Sequence, residues 1–144
     1  MSLGERILVV EDNELVLVMV TSALEKAGYL VSAASSGYDL LKHVTQVHPP
    51  DLILLDVGLP DMDGRDLLAA LKKDPRTMHI PVLVWSAGRN ESDRRIALEL
   101  GAEDYVQKGL PSTLVPKIER ILFRLSEREL IRARSSLPAR KPSE

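Results

Sequence analysis

The amino-acid sequence predicts an α/β fold in which a five-stranded parallel sheet is covered by helices on both faces. Two observations carry this prediction. Five short segments have the length and setting of strands, and the runs RILVV, LILL and IPVLVW among them are rich in Val, Ile and Leu, as is typical of strands buried on both faces of a parallel sheet. Segments with helical apolar spacing alternate with these runs through short connections, which implies right-handed crossovers between parallel strands.

Length and composition favour one domain with an aliphatic core. The chain has 144 residues, of which 44% are hydrophobic and only 3% aromatic. The formal net charge of −2 is too small to indicate direct nucleic-acid binding by this domain. The absence of cysteine excludes disulfides, thiol catalysis and thiolate metal sites, and it fits a cytoplasmic location. We expect no membrane helix, because no segment approaches roughly 20 apolar residues.

The first strand and helix are predicted at residues 6–10 and 14–27. The strand is the run RILVV, which ends directly before two acidic residues. Asn13 suits the N-cap of the helix, and Gly28 ends it. The positions with roughly helical spacing are Leu15, Val18, Met19, Ser22 and residues 24–26.

The second strand and helix are predicted at residues 29–34 and 38–47. The strand reads YLVSAA and is followed by a Ser-Ser-Gly turn. Leu40, Leu41 and Val44 are predicted to point inward from the helix. The sequence His-Pro-Pro ends the helix, since a residue before proline disfavours helical backbone.

The third strand, residues 52–55, consists of four apolar residues and leads directly into Asp56. A carboxylate at the carboxyl end of such a strand lies where open α/β sheets place their ligands. Taken alone, Asp56 is better explained as a cap of the following turn, because Asp is common there. The helix that follows is predicted at residues 65–73, with an apolar face formed by Leu67, Leu68 and Leu71.

Two further strands and helices complete the fold. The fourth strand is predicted at residues 80–85 and its helix at 91–100, with Gly101 as the stop. The fifth strand is predicted at residues 103–106, and Pro111 opens the last helix, where proline is best tolerated. The apolar stripe of this helix is Leu114, Ile118, Ile121 and Leu125.

The natural strand order for this alternation is flavodoxin-like, 2-1-3-4-5, with the site at the switch between strands one and three. We expect residues 1–125 to form the domain. Residues 126–144 are predicted to extend the last helix to about residue 134 and then to form a flexible tail or linker. The basic residues in this segment could contact an acidic partner or nucleic acid, but a solvated tail explains them better.

Five polar residues fall at the carboxyl ends of the predicted strands: Glu11 and Asp12, Asp56, Ser86, and Lys108. Three carboxylates in one crevice repel each other, and the usual remedy is a hard divalent cation such as Mg²⁺. A carboxylate can also act as a nucleophile and form an aspartyl-phosphate. The lysine and the hydroxyl would then face phosphoryl oxygens, as phosphoryl transfer requires.

This ordered set resembles the response-regulator receiver domain of two-component signalling. The resemblance covers about residues 5–125 and is carried by four stretches, VVEDN, LILLDVGLPDMDG, VLVWSA and DYVQKG. It implies that Asp56 accepts a phosphoryl group from a phospho-histidine on a sensor histidine kinase or histidine phosphotransfer protein. It also implies Mg²⁺ as the cofactor, bound by Asp12 and Asp56 directly, by Glu11 through water and by the carbonyl of Gly58.

The resemblance also implies a switch. Ser86 and Lys108 would hold the phosphoryl oxygens, and Tyr105 matches the aromatic switch residue of the family. Phosphorylation would move Ser86 and turn Tyr105 inward, which remodels the surface of helix four, strand five and helix five. That surface would control an output domain or a downstream partner, or form a homodimer. Such a chain is not a conventional enzyme, since it catalyses only its own phosphorylation and dephosphorylation.

The sequence departs from the family after the lysine, where the usual proline is replaced by Gly109. A cis bond before a non-proline residue costs roughly 2.5–4 kcal/mol, so we expect the Lys108–Gly109 peptide to be trans. A second feature concerns Gly58 and Gly88, which flank the phosphoryl group in the family. Because neither can shield it, we expect a fairly short-lived phosphorylated form.

Three alternatives compete with this interpretation. A phosphohydrolase of the haloacid-dehalogenase type would need a second Asp where Gly58 stands. A flavodoxin-like FMN binder would need a hydroxyl-rich loop after the first strand, where this chain is acidic. A phosphorylation-independent protein-interaction module on the same fold stays open, because the family's proline is missing after Lys108.

Overall fold

Five strands and five α-helices alternate along the part of the chain that the computed structural model describes, residues 4–44, 49–88 and 91–136. The strands are β1 (Arg6–Val10), β2 (Leu30–Ala34), β3 (Leu52–Leu55), β4 (Val82–Ser86) and β5 (Asp104–Gln107). The helices are α1 (Glu14–Lys26), α2 (Gly37–His43), α3 (Gly64–Lys73), α4 (Glu91–Glu99) and α5 (Leu114–Ser136). A 3₁₀ turn, Pro111–Thr113, leads into α5.

The strands form one parallel sheet in the order β2-β1-β3-β4-β5, which confirms the predicted fold and topology. In its register, Val10 pairs with Ala34 on one side and with Leu55 on the other. The ends of β1 and β3 are therefore neighbours. The residues that follow them, Glu11 and Asp56, start from the same edge of the sheet.

Side chains of each strand alternate between two cores. Ile7, Val9 and Leu54 belong to the core under α1 and α5, whereas Leu8 and Leu55 belong to the core under α2, α3 and α4. We name these the α1/α5 face and the α3/α4 face of the sheet. The same alternation determines which face of the sheet the side chain of a residue just beyond a strand end points toward.

Helix α1 packs through a different stripe from the one that its apolar spacing suggested. Val20 and Leu24 are buried, but Leu15 is 71% exposed and Val18 and Met19 are also exposed. Apolar residues of α1 lie on several sides of the helix, so their spacing alone did not define its buried side. Packing of Val20 and Leu24 against the sheet and α5 decides which side is buried. The predicted N-cap is confirmed, since the Asn13 side chain accepts a hydrogen bond from the N–H of Val16 at 3.1 Å.

The prediction for α2 was wrong for one side chain. Leu40 and Val44 are buried as expected, but Leu41 is exposed because it is rotated by about 100° from Leu40 on the helix. The described helix covers Gly37–His43, and the predicted extension to residue 47 falls on residues 45–48, which lie outside the described part of the chain. Pro111 opens a 3₁₀ turn, and α5 itself begins three residues later, at Leu114. The other element boundaries agree with the predicted ones to within two residues, as is usual at fraying ends.

Helix α5 carries the predicted stripe, with Leu114, Ile118 and Ile121 buried and Leu125 partly buried. It continues to Ser136, and the side chains of residues 126–135 are all exposed. No helix in the described residues is both long enough and apolar enough to span a membrane.

The buried side of α1 leads to a stability prediction. Leu24→Ala removes a fully buried side chain and leaves a cavity, so we expect it to lower the free energy of unfolding by about 2–5 kcal/mol. Leu15→Ala is the matched control, because its side chain is mostly in solvent, and we expect a change within about 0.5 kcal/mol. Urea unfolding measures both, and equal losses would contradict the observed packing of α1.

Candidate functional site

Asp56 lies directly after β3 and is held in place by the backbone on both sides. Its own N–H donates to the carbonyl of Val10 at 3.0 Å, which continues the β1–β3 ladder by one residue. The N–H of Gly58 donates to Asp56 Oδ1 at 2.9 Å. The residue is 7% exposed, so one of its carboxylate oxygens is oriented by a backbone donor within a nearly closed crevice.

Lys108 bridges two of the predicted carboxylates. Its Nζ donates to Glu11 Oε1 at 2.7 Å and to Asp56 Oδ2 at 3.1 Å. Burial opposes the lysine charge, but the hydrogen bonds that Lys108 donates to Glu11 and Asp56 outweigh it and raise the pKa of Lys108. The lysine is therefore a positive charge held against the Asp56 carboxylate.

The backbone of Lys108 is tied to the neighbouring strand. Its N–H donates to the carbonyl of Ser86 at 2.6 Å, which ties the end of β5 to the end of β4. The described residues contain no cis peptide bond, so the Lys108–Gly109 peptide is trans, as predicted. The N–H of Lys108 makes the hydrogen bond to β4, and the peptide bond that follows the residue has ordinary trans geometry.

Glu11, Asp12 and Asp56 form an acidic cluster in which one oxygen of each carboxylate lies within 4.8 Å of the others. Glu11 is 1% exposed, and its Oε2 accepts a hydrogen bond from the N–H of Asn13 at 3.3 Å. Burial is the main cause that raises the pKa of Glu11. Asp12, by contrast, is exposed. Three hard oxygen donors at this separation fit a divalent cation such as Mg²⁺, with the exposed carboxylate nearest to solvent.

Ser86 is part of the same edge but belongs to the α3/α4 face. Val84, two residues earlier on β4, packs in that core, and side chains two apart share a face. In the part of the chain that the structure describes, the Ser86 hydroxyl hydrogen-bonds its own loop, accepting from the N–H of Gly88 at 3.3 Å. The structure thus brings Ser86 to the site without joining its hydroxyl to the carboxylates.

Tyr105 is half-buried against the core of the α3/α4 face. Its hydroxyl donates to the carbonyl of Gly88 at 3.5 Å. A Cβ built on Gly88 would lie 3.8 Å from that hydroxyl and 3.9 Å from Ser86 Oγ. The two residues predicted as a switch therefore meet at the loop after β4.

Sequence reasoning missed a role for Asp61 in the loop after β3. Its two carboxylate oxygens accept hydrogen bonds from the N–H groups of Gly37 and Tyr38, each at 3.0 Å, and these bonds lower the pKa of Asp61. The contact ties the loop that carries Gly58 to the first turn of α2. The partners are 23 and 24 residues away in sequence, so no local pattern could have indicated it.

Sequence reasoning also missed Asp104, which joins the three elements of the predicted switch surface. On β5, it accepts from Lys117 of α5 at 2.8 Å and lies 3.6 Å from Arg94 of α4. Burial alone would raise the pKa of Asp104, but hydrogen bonds from Lys117 and from the Tyr105 N–H lower it. Tyr105 follows this carboxylate directly in sequence.

Comparison with known proteins gives one consistent result. The response regulator receiver domain family matches residues 7–119. The alkaline phosphatase synthesis transcriptional regulatory protein PhoP of Bacillus subtilis is 37% identical over 123 residues, which cover 85% of this chain and 50% of that protein. The chain spans about half the length of the curated relatives it matches.

Solved structures agree with the sequence comparison. A CheY-like response regulator receiver domain protein from Methanospirillum hungatei is 27% identical with a TM-score of 0.79, covering 87% of this chain and 98% of that one. The Mn²⁺-bound form of response regulator Rcp1 is 31% identical with a TM-score of 0.69, covering 74% and 82%. The ordered acidic, hydroxyl and lysine residues at one sheet edge, the strand order and these matches lead to one conclusion: the chain belongs to the response regulator receiver domain family.

Proposed function

We propose that Asp56 is the phospho-acceptor of this receiver domain and that Lys108 and Ser86 are its phosphoryl-binding partners. The observation that best supports this is the position of Lys108 Nζ, which lies 3.1 Å from Asp56 Oδ2 and 2.7 Å from Glu11 Oε1. A lysine that already contacts the acceptor carboxylate can neutralise charge that develops on phosphoryl oxygens beside it. A carboxylate that only capped a turn would not require this contact.

The proposed reaction transfers a phosphoryl group from a phospho-histidine. An Asp56 oxygen forms a bond to phosphorus while the bond between phosphorus and the histidine nitrogen breaks. The electron pair of that bond stays on the imidazole, which then takes up a proton, and the product is an aspartyl-phosphate. Hydrolysis of the acyl phosphate by water returns free Asp56 and inorganic phosphate. No other substrate is turned over, so the domain is a switch and not a conventional enzyme.

The acidic cluster is proposed as a Mg²⁺ site. Asp12 and Asp56 would hold the cation directly, with the Gly58 carbonyl, while Glu11 would act through water. Asp12 is exposed, whereas both carboxylate oxygens of Glu11 already accept hydrogen bonds, which supports these different roles for the two residues. When bound, Mg²⁺ offsets the negative charge shared by the carboxylates and the phosphoryl oxygens. The manganese-bound state of the similar Rcp1 is consistent with a divalent cation at this edge.

The proposed switch couples Ser86 to the surface formed by α4, β5 and α5. Moving the Ser86 hydroxyl toward a phosphoryl group breaks its hydrogen bond with the Gly88 N–H. Gly88 also holds the Tyr105 hydroxyl, so the two groups share one loop. Asp104 directly precedes Tyr105 on β5 and contacts Arg94 of α4 and Lys117 of α5. The proposed outcome is a changed surface for a partner, an output domain or a second copy.

The proposed phosphoryl donors are a sensor histidine kinase or a histidine phosphotransfer protein. The match covers half or less of the curated relatives named transcriptional regulators, which fits a receiver domain that acts on an attached or separate output. Residues 1–125 would form the domain, and residues 126–144 a linker, consistent with the exposed side chains of residues 126–135. A cytoplasmic location goes with this role, and a cysteine-free chain fits it.

Phosphorylation of Asp56 is tested with acetyl phosphate and Mg²⁺. We expect the wild-type protein to gain the mass of one phosphoryl group and Asp56→Asn to gain none, because an amide is not a nucleophile here. Intact-mass spectrometry measures both. A gain in both proteins, or in neither, contradicts the proposal and favours a phosphorylation-independent interaction module.

The proposed cation site predicts that Mg²⁺ stabilises the protein. At a hundredfold excess over its dissociation constant, Mg²⁺ should raise the free energy of unfolding by about 2.7 kcal/mol, since it binds only the folded site. Asp12→Asn should abolish this gain. Without Mg²⁺ the same variant should be more stable than the wild type, because it relieves repulsion in the acidic cluster. Urea unfolding with and without Mg²⁺ measures both effects, and an equal gain in both proteins rules out Asp12 as a ligand.

The lifetime of the phosphorylated form is predicted to depend on Gly58. A Cβ at this position would lie 3.5 Å from Asp56 Oδ1, an ordinary contact, so a side chain fits beside the acceptor oxygen. Gly58→Leu should therefore slow the decay of the phosphorylated protein several-fold by covering it from water. Gly58→Ala is the control, since it removes the glycine but adds little cover. Unchanged or faster decay in Gly58→Leu would contradict shielding.

A further inference from the structure

Trp85 is the residue of β4 directly before Ser86 and lies beneath the candidate site. It is 3% exposed and packs in the core of the α1/α5 face with Val9 and Leu54. Side chains alternate along a strand, so Trp85 and Ser86 point to opposite faces. Asp56 follows Leu54 by two residues and starts on the same side as the indole. Trp85 therefore belongs to the carboxylate side of the site.

The indole contacts the lysine of the site through its aromatic face. Lys108 Nζ lies 5.4 Å from the centroid of the Trp85 ring, within the range of a cation–π interaction. The same nitrogen donates to Glu11 and Asp56. The ammonium group is thus held by two carboxylates and by one aromatic ring, and Trp gives the strongest attraction of any aromatic side chain.

The core position of Trp85 does not by itself require an indole. Trp85 Nε1 is buried and, within the described residues, has no hydrogen-bond partner. A phenyl or aliphatic side chain would fill the core without that unsatisfied donor. The ammonium group of Lys108 is held by the contacts of its own side chain, with Glu11, Asp56 and the aromatic face of Trp85.

We propose that Trp85 is a positioning residue that holds Lys108 Nζ against Asp56 for phosphoryl transfer. This inference rests on the proposed function. The ring does not touch the reacting oxygens and acts through the lysine alone. Without the ring, Lys108 leaves the crevice more readily, which slows phosphorylation. Lys108 and Mg²⁺ also attract the same carboxylates, so releasing the lysine strengthens Mg²⁺ binding.

Loss of the ring is expected to slow phosphorylation but to strengthen Mg²⁺ binding, and these opposite effects provide the test. In the full chain, Trp85→Leu should lower the rate of phosphorylation by acetyl phosphate roughly threefold to tenfold, the loss expected for one cation–π contact. Isothermal titration calorimetry with Mg²⁺ alone should show tighter binding, roughly twofold or more. Trp85→Phe keeps an aromatic face and should lie closer to the wild type in both measurements. Trp85→Met replaces Trp85→Leu if the latter does not fold.

Lys108→Met supplies the control background. If Trp85 acts through the lysine, Trp85→Leu leaves the Mg²⁺ affinity of Lys108→Met unchanged, as a double-mutant cycle measures. If Trp85→Leu weakens Mg²⁺ binding in both backgrounds, the substitution has disturbed the structure of the site in general, and the proposal is overturned. An unchanged phosphorylation rate and an unchanged Mg²⁺ affinity in the wild-type background also overturn it. Should Asp56 of the wild type take up no phosphoryl group, the proposed function fails. The Mg²⁺ titrations still decide the contact between Trp85 and Lys108.

Discussion

Lys108 reaches from the end of β5 to Glu11 beyond β1 and Asp56 beyond β3, and the charge balance of the site depends on these contacts. Three carboxylates and one ammonium group leave two negative charges, which match the charge of one Mg²⁺ ion. A buried ion pair gains little stability once desolvation is counted, so these contacts are better explained by function. The lysine limits repulsion in the acidic cluster, and in the proposed function it also neutralises the phosphoryl oxygens.

The two faces of the sheet divide this site into two parts. Asp56 and Lys108 contact each other above the α1/α5 face, whereas Ser86 and Tyr105 meet at Gly88 above the α3/α4 face. The bond from the Lys108 N–H to the Ser86 carbonyl joins the parts through the backbone. A phosphoryl group that draws Ser86 toward Asp56 must therefore disturb the Gly88 loop. This geometry gives a direct physical route from the acceptor to the switch surface.

Most of the site was predictable because its residues follow strands in a parallel sheet. The strand order alone brings Glu11, Asp12 and Asp56 together, and the alternation of five strands with helices favours that order. The buried stripe of α1 was not predictable, because apolar residues surround that helix. The loop contacts of Asp61 and the bridging contacts of Asp104 escaped prediction for another reason, since their partners lie on separate elements.

The sequence by itself determined the fold class and the chemical types at the sheet edge, because periodicity and strand ends are local properties. It favoured the strand order, which the pairing of the strands confirmed. Tertiary structure alone decided which groups touch. It placed Lys108 Nζ between two carboxylates and over the Trp85 ring, and it set the Tyr105 hydroxyl against Gly88. Such contacts depend on how far side chains reach across neighbouring strands, and that reach follows from sheet register and loop geometry, which no local pattern contains.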